Sequence, residues 1–166
     1  MRSRAVAAAG LFAVLASAAV AAATGAAPLR LVEPGDGRDV NLAFDVPATH
    51  IVFFATWCPP CVEELEELTR FAARWEERGY RLVLVAVRNR QSPEKLNAFS
   101  ARVSVPGRLF FDADGSVQRR YDVVDLPTHV VLDSGGAEVA RGAGMGGSVA
   151  NALASLLADG RPARRR

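Results

Sequence analysis

Cysteine is scarce in this 166-residue chain: Cys58 and Cys61 are the only two. A bridge between positions three apart restrains little of the unfolded chain, so a scaffold stapled by disulfides is excluded. A closed thiolate zinc site is excluded as well, since zinc takes four ligands and there is no second cysteine pair. No metal or other cofactor is expected. Lysine is scarcer still, with Lys95 alone, and basic charge is unevenly placed. Arg2, Arg4, Arg161, Arg164, Arg165 and Arg166 account for six of the 20 basic residues, leaving 14 against 18 acidic ones, so the body is acidic by about four charges. A nucleic-acid-binding body needs a basic face, and this composition does not supply one. What remains is an ordinary globular mix, 50% hydrophobic and 23% charged, long enough for one well-buried domain.

The first residues read as an export segment. Met1–Arg4 is short and positive, and Ala5–Ala27 is uncharged, with small residues at Ala21-Ala22-Ala23 that suit a signal peptidase. The stretch is also long enough to anchor in a bilayer if uncut. Residues 1–27 are therefore expected to be a signal peptide or N-terminal anchor, 28–160 the folded domain, and 161–166 a basic, disordered tail. Either reading of the first segment puts the domain outside the cytoplasm, in the periplasm or at the cell surface.

Leu29–Val32 and Val40–Phe44 flank turn residues and suggest a short hairpin. His50–Ala55 is a β-branched and aromatic run that suits a buried central strand. It leads into Trp57-Cys58-Pro59-Pro60-Cys61, whose prolines fit the first turn of a helix, where backbone donors have no partner anyway. Val62, Leu65, Leu68, Ala72 and Trp75 then recur at helical spacing. Acids crowd the start of this helix, arginines crowd its end, and Gly79 closes it. Further expected elements are a strand over Arg81–Val87, a helix from Pro93 to about Arg102 capped by Ser92, and a strand at Leu109–Phe111. A hairpin of Thr128–Asp133 with Ala137–Arg141 and a last helix over Val149–Ala158 complete the pattern. Strands alternate with helices and end in a hairpin, so the expected fold is α/β, a central mixed sheet flanked by helices.

The cysteine spacing and its setting point to redox chemistry. A thiol at a helix mouth meets backbone donors and the positive helix end, which favour the thiolate. Cys58 is the expected exposed nucleophile. Cys61, one turn inside, is the expected resolving thiol that attacks the mixed disulfide. Negative charge from Glu63, Glu64, Glu66 and Glu67 works against the thiolate, which argues for an electron donor rather than a strong oxidant.

Phe53-Phe54-Ala55-Thr56-Trp57-Cys58-Pro59-Pro60-Cys61, Phe110–Gly115 and Leu126–Gly136 together resemble the thioredoxin superfamily, most closely its extracytoplasmic TlpA/ResA/CcmG branch. The resemblance covers about Phe44 to Ala158. It implies a thioredoxin-like fold and a thiol–disulfide oxidoreductase with a redox-active Cys58–Cys61 disulfide. It also implies a cis peptide at Pro127 facing the cysteines, and substrate contacts from Trp57, Pro59, Pro60, Leu126 and Pro127. Implied partners are disulfide-bearing proteins, with apocytochrome c among them, and an upstream membrane electron donor. In the ResA-like subset the glutamate matching Glu64 assists proton transfer, although acids at a helix start need no such explanation. Thioredoxin carries a buried aspartate where this chain has Val52, and Glu64 or His129 is left to replace it. His129 otherwise reads as a hydrogen-bonded core histidine, and His50 as structural. Alternatives are a disulfide oxidase or isomerase, and a copper chaperone of the Sco type. Sco proteins place three residues between the cysteines, whereas two stand here. A peroxidase is disfavoured because no Pro-x-x-x-Thr-x-x-Cys pattern surrounds Cys58.

Overall fold

The computed structural model describes residues 26–158. Most of the expected export segment and the arginine tail lie outside them. Ala26 and Ala27, at the end of that segment, are tied to the domain: the Ala26 N–H donates to Gly135 O at 2.9 Å, and Arg120 reaches Ala27 O. Among the described residues no helix is long and apolar enough to cross a membrane.

The order along the chain is β1 (Leu29–Val32), β2 (Asp39–Leu42), β3 (Ala48–Phe54), α1 (Pro59–Glu63), α2 (Leu65–Trp75), β4 (Tyr80–Ala86), α3 (Pro93–Ser100), β5 (Arg108–Phe111), α4 (Ser116–Arg120), β6 (Thr128–Leu132), β7 (Glu138–Gly142) and α5 (Gly147–Ala158). The seven strands form one mixed sheet in the order β2-β1-β5-β4-β3-β6-β7. β3 pairs in parallel with β4, and β4 with β5; β6 runs antiparallel to β3. The fold is thus the thioredoxin-like α/β arrangement. β3 is buried along its whole length, as its continuous apolar run demands of a strand covered on both faces. At one rim β1 and β2 form a hairpin, and at the other β7 pairs with β6 around an irregularity at Val131 and Leu132.

Two local features differ from the sequence reading. The single helix after the cysteines is two: α1 ends at Glu63, Glu64 forms the joint, and α2 carries on. A 3₁₀ turn over Glu76–Arg78 then runs into Gly79, which takes the left-handed conformation at φ 86°. Only glycine fits there, since a β-carbon would lie 2.5 Å from the Pro47 ring. The second difference is α4, which has no apolar stripe to announce it. It is nucleated from outside by Asp112, a fully buried carboxylate that accepts from the N–H groups of Val117 (3.2 Å) and Gln118 (2.7 Å). Burial raises the Asp112 pKa, partly offset by these two donors. Asp112→Ala should leave both N–H groups without their acceptor and cost ~1–2 kcal/mol, read as a lowered urea midpoint at neutral pH.

Candidate active site

Cys58 and Cys61 are joined as a disulfide, with Cα atoms 5.3 Å apart. The geometry follows from the local sequence. Cys58 is the N-cap of α1, in extended conformation (φ −99°, ψ 102°), and Pro59 and Pro60 occupy the first turn. The Cys61 N–H points back at Cys58 Sγ, 3.3 Å away, a donor that would also favour a thiolate on that sulfur after reduction. Cys58 is 6% exposed and Cys61 2%. The order matches the expected roles, but Cys58 is far less exposed than the sequence reading supposed. Flanking residues roof it over: it lies in a cleft of about 370 Å³, shared with Trp57, Pro59, Asn89, Val124 and Leu126.

The cleft has an apolar rim. Trp57 is 42% exposed and Val124 82%. The Trp57 indole N–H donates to Asn89 O at 2.9 Å, and Arg90 stacks over the ring at 5.6 Å, so the loop after β4 braces it. The Leu126–Pro127 peptide is cis, and Pro127 is buried at the entry to β6. Leu126 and Pro59 line the same cleft as Cys58, and Pro59 and Pro60 are exposed. Of the residues singled out in the sequence, Trp57, Cys58, Pro59 and Leu126 line this opening, whereas Pro60, Cys61, Glu64 and Pro127 are not among its lining residues. A larger cleft of about 520 Å³ between the β1–β2 turn and α3 is lined by Pro34, Asn97 and Val105 and holds neither cysteine.

A second polar feature lies between the sheet and the joint of α1 with α2. Glu64, at the joint between α1 and α2, turns inward, and its Oε2 is 2.8 Å from His129 Nε2. The other nitrogen of that ring, Nδ1, is 3.0 Å from His50 Nε2. His50 Nδ1 is in turn 2.7 Å from the Tyr80 hydroxyl. The sheet register explains the alignment. Val52 faces His129 and His50 faces Val131 across β3 and β6, so the two histidines are diagonal neighbours on one face. Tyr80 opposes Ala48 across β3 and β4 and joins the same face on the other side. α2 covers that face through Phe71, edge-on to Tyr80 at 5.1 Å.

Both imidazoles are fully buried. Burial, then the neighbouring His129, pushes the His50 pKa well below the ordinary value. Burial also lowers that of His129, and the attraction of Glu64 and Glu67 only partly offsets it. The rings are therefore neutral near pH 7, and the contact between Glu64 and His129 is a hydrogen bond rather than an ion pair. Burial raises the Tyr80 pKa, so its hydroxyl keeps its proton. Of the two candidates to replace the missing aspartate at Val52, the structure selects neither alone and joins them. His50 and Tyr80 were not singled out for chemistry. Their only sequence signal is a polar residue in an apolar strand, which becomes informative once the pairing register is known.

Residues 26–137 match the AhpC/TSA family. The chain is 25% identical over 107 residues to the sporulation thiol-disulfide oxidoreductase A of Bacillus subtilis, covering 64% of this chain and 65% of that protein. It is 26% identical over 114 residues to the thiol-disulfide oxidoreductase ResA of the same organism, covering 68% of this chain and 63% of the relative. It thus spans a little under two thirds of the length of these relatives. In shape it is similar to the crystal structure of StoA from Bacillus subtilis, with a TM-score of 0.62 at 22% identity over 78% of this chain and 96% of that one. With its mixed seven-stranded sheet, its cysteine pair and the matched stretch through the centre of the fold, the chain belongs to the AhpC/TSA family of the thioredoxin superfamily.

Proposed function

We propose that this protein is an extracytoplasmic thiol–disulfide oxidoreductase that reduces disulfides in partner proteins. The observation that carries the reading is the cysteine pair at the mouth of α1, with Cys58 in a cleft also lined by Leu126. In the reduced protein, Cys58 as thiolate attacks a substrate disulfide and releases one substrate sulfur as thiolate. Cys61 then loses its proton and attacks Cys58 Sγ, releasing the second substrate sulfur and closing the Cys58–Cys61 bond. Two electrons and two protons pass to the substrate. An upstream membrane dithiol donor restores the pair.

Trp57, Pro59, Pro60, Leu126 and Pro127 form the substrate surface, with the Leu126 backbone as the docking edge. Glu64, one helical turn beyond Cys61, accepts the proton that Cys61 gives up. Cytochrome c maturation, with apocytochrome c as the disulfide-bearing partner, fits a donor of this kind. Glu66 and Glu67 in the first turn of α2 support the reducing direction, although Glu66 is paired with Arg70. The region between β5 and β6 holds only the five-residue α4, which does not favour an oxidase with a helical insertion. Both ring nitrogens of His129 are engaged by Glu64 and His50, which disfavours a copper-chaperone role for it.

The test is trapping. Cys61→Ser, expressed with its export segment, should accumulate a mixed disulfide through Cys58 that mass spectrometry identifies and dithiothreitol releases. If no adduct forms on Cys58, the oxidoreductase reading fails.

A further inference from the structure

The chain from Tyr80 to Glu64 has a direction. A neutral imidazole carries one N–H and one lone pair, so each ring in the chain must donate on one side and accept on the other. If the Glu64 carboxylate accepts, His129 donates through Nε2–H, and its Nδ1 must then accept from His50 Nε2–H. His50 Nδ1 must in turn accept from the Tyr80 hydroxyl. Every proton in this arrangement has a partner. The opposite arrangement, with a protonated Glu64 donating inward, would end with His50 donating to the Tyr80 oxygen. Among the described residues no other hydrogen bond reaches that hydroxyl, so its own proton would be stranded in the core. The chain therefore points outward, from the sheet interior to the joint beside the cysteine helix.

A second observation concerns the carboxylate itself. A β-carbon on Gly144, in the loop before α5, would lie 2.6 Å from Glu64 Oε1. The absence of a side chain there leaves space for the inward pose of Glu64. Glu64 is thus held by His129 on Oε2, while Gly144 leaves room for Oε1.

We propose that Tyr80, His50 and His129 are positioning residues for the thiol chemistry: a one-way hydrogen-bond chain that fixes both imidazoles as Nε2–H tautomers and presents Glu64 to α1 as an acceptor. This rests on the oxidoreductase reading for its functional half, while the direction of the chain stands on geometry alone. When Cys61 gives its proton to Glu64, the aligned chain opposes passing it inward to the buried rings. The groups facing the two rings are Tyr80 from β4 and Glu64 with Glu67 from the helical side.

Two measurements test it. Imidazole ¹⁵N shifts of the intact protein at about pH 7 should show both histidines neutral and protonated at Nε2. A proton on Nδ1 of either ring, or an imidazolium, overturns the proposal. The second measurement is the rate at which the reduced protein cleaves insulin disulfides. His129→Leu removes the donor to Glu64 and should slow it about tenfold, whereas His129→Gln keeps an N–H at the same reach and should stay within about threefold of wild type. Equal loss in both variants, or no loss in either, overturns it. Gly144→Ala, which leaves Tyr80, His50 and His129 untouched but crowds Glu64 Oε1, should reproduce the Leu phenotype by displacing the carboxylate; an unaltered rate overturns the role given to the open space at Gly144. If the unmodified protein itself fails to cleave insulin disulfides, or does so equally well as Cys58→Ser, the oxidoreductase reading falls. The nitrogen shifts still decide the direction of the chain.

Discussion

Cys58→Ser should lower disulfide reduction roughly 10⁴-fold while leaving the fold intact, because serine offers no sulfur to exchange. The expectation of intact folding is itself structural. Cys58 is the N-cap of α1 and accepts the Cys61 N–H through its side chain. Serine is among the preferred residues at that position, so the cap survives the substitution. Circular dichroism should be unchanged and the thermal midpoint should stay near that of the reduced wild type. Insulin reduction followed by turbidity, with dithiothreitol as the electron source, reads the activity. Retained turnover in Cys58→Ser together with a dead Cys61→Ser would reverse the assignment of nucleophile and resolving thiol.

The second large effect is a loss of stability in mild acid. His50 and His129 have folded-state pKa values pushed below the ordinary 6.5, chiefly by burial, whereas the unfolded chain frees them to titrate normally. Below pH 6.5 the unfolded state therefore binds more protons than the native state, and stability must fall as pH falls. The slope can reach about 1.4 kcal/mol per pH unit for each histidine until its folded-state pKa is passed. Carboxylates with lowered pKa, such as Glu33, Glu94 and Asp114, contribute only at lower pH, and Asp112, whose pKa burial raises, works in the opposite direction, so the loss from about pH 6.5 to 5 is driven by the histidines. Tyr80, Glu64 and Glu67 face the rings, and of these only the two acids favour the charged form of His129. Urea titrations at several pH values across this window measure the effect. A flat stability between about pH 7 and 5 would show that the imidazoles protonate in the fold without cost.

Much of this architecture is legible in the sequence because it rests on local rules. The apolar run His50–Ala55 reads as a buried strand since β3 is covered on both faces. Ser92 before Pro93 reads as a helix start, and its hydroxyl does accept the Lys95 N–H. The cysteine pair announces itself by spacing. What escaped depends on residues distant in the chain. α4 forms because Asp112 caps it from the end of β5, which no apolar periodicity reveals. The break between α1 and α2 falls at Glu64, whose carboxylate reaches a histidine 65 positions away. His50 and His129 are 79 positions apart, and only the antiparallel register of β3 with β6 sets them side by side. The polarity of Glu64, His129 and His50 is visible in the sequence, but their union is a property of the sheet.

That sheet also governs how copies of the protein behave toward one another. An open sheet ends in two strands with unpaired backbone groups, and flat rims of this kind invite edge-to-edge polymerisation. Here one rim is β2, four residues long, with Asp39 and Asn41 exposed. The other is β7, which carries Glu138 and Arg141 paired with each other and meets β6 through the irregularity at Val131 and Leu132. Short length, charge and broken register each spoil a template for a further strand, so the chain can keep the Trp57 and Val124 rim exposed without offering its borders to its own kind.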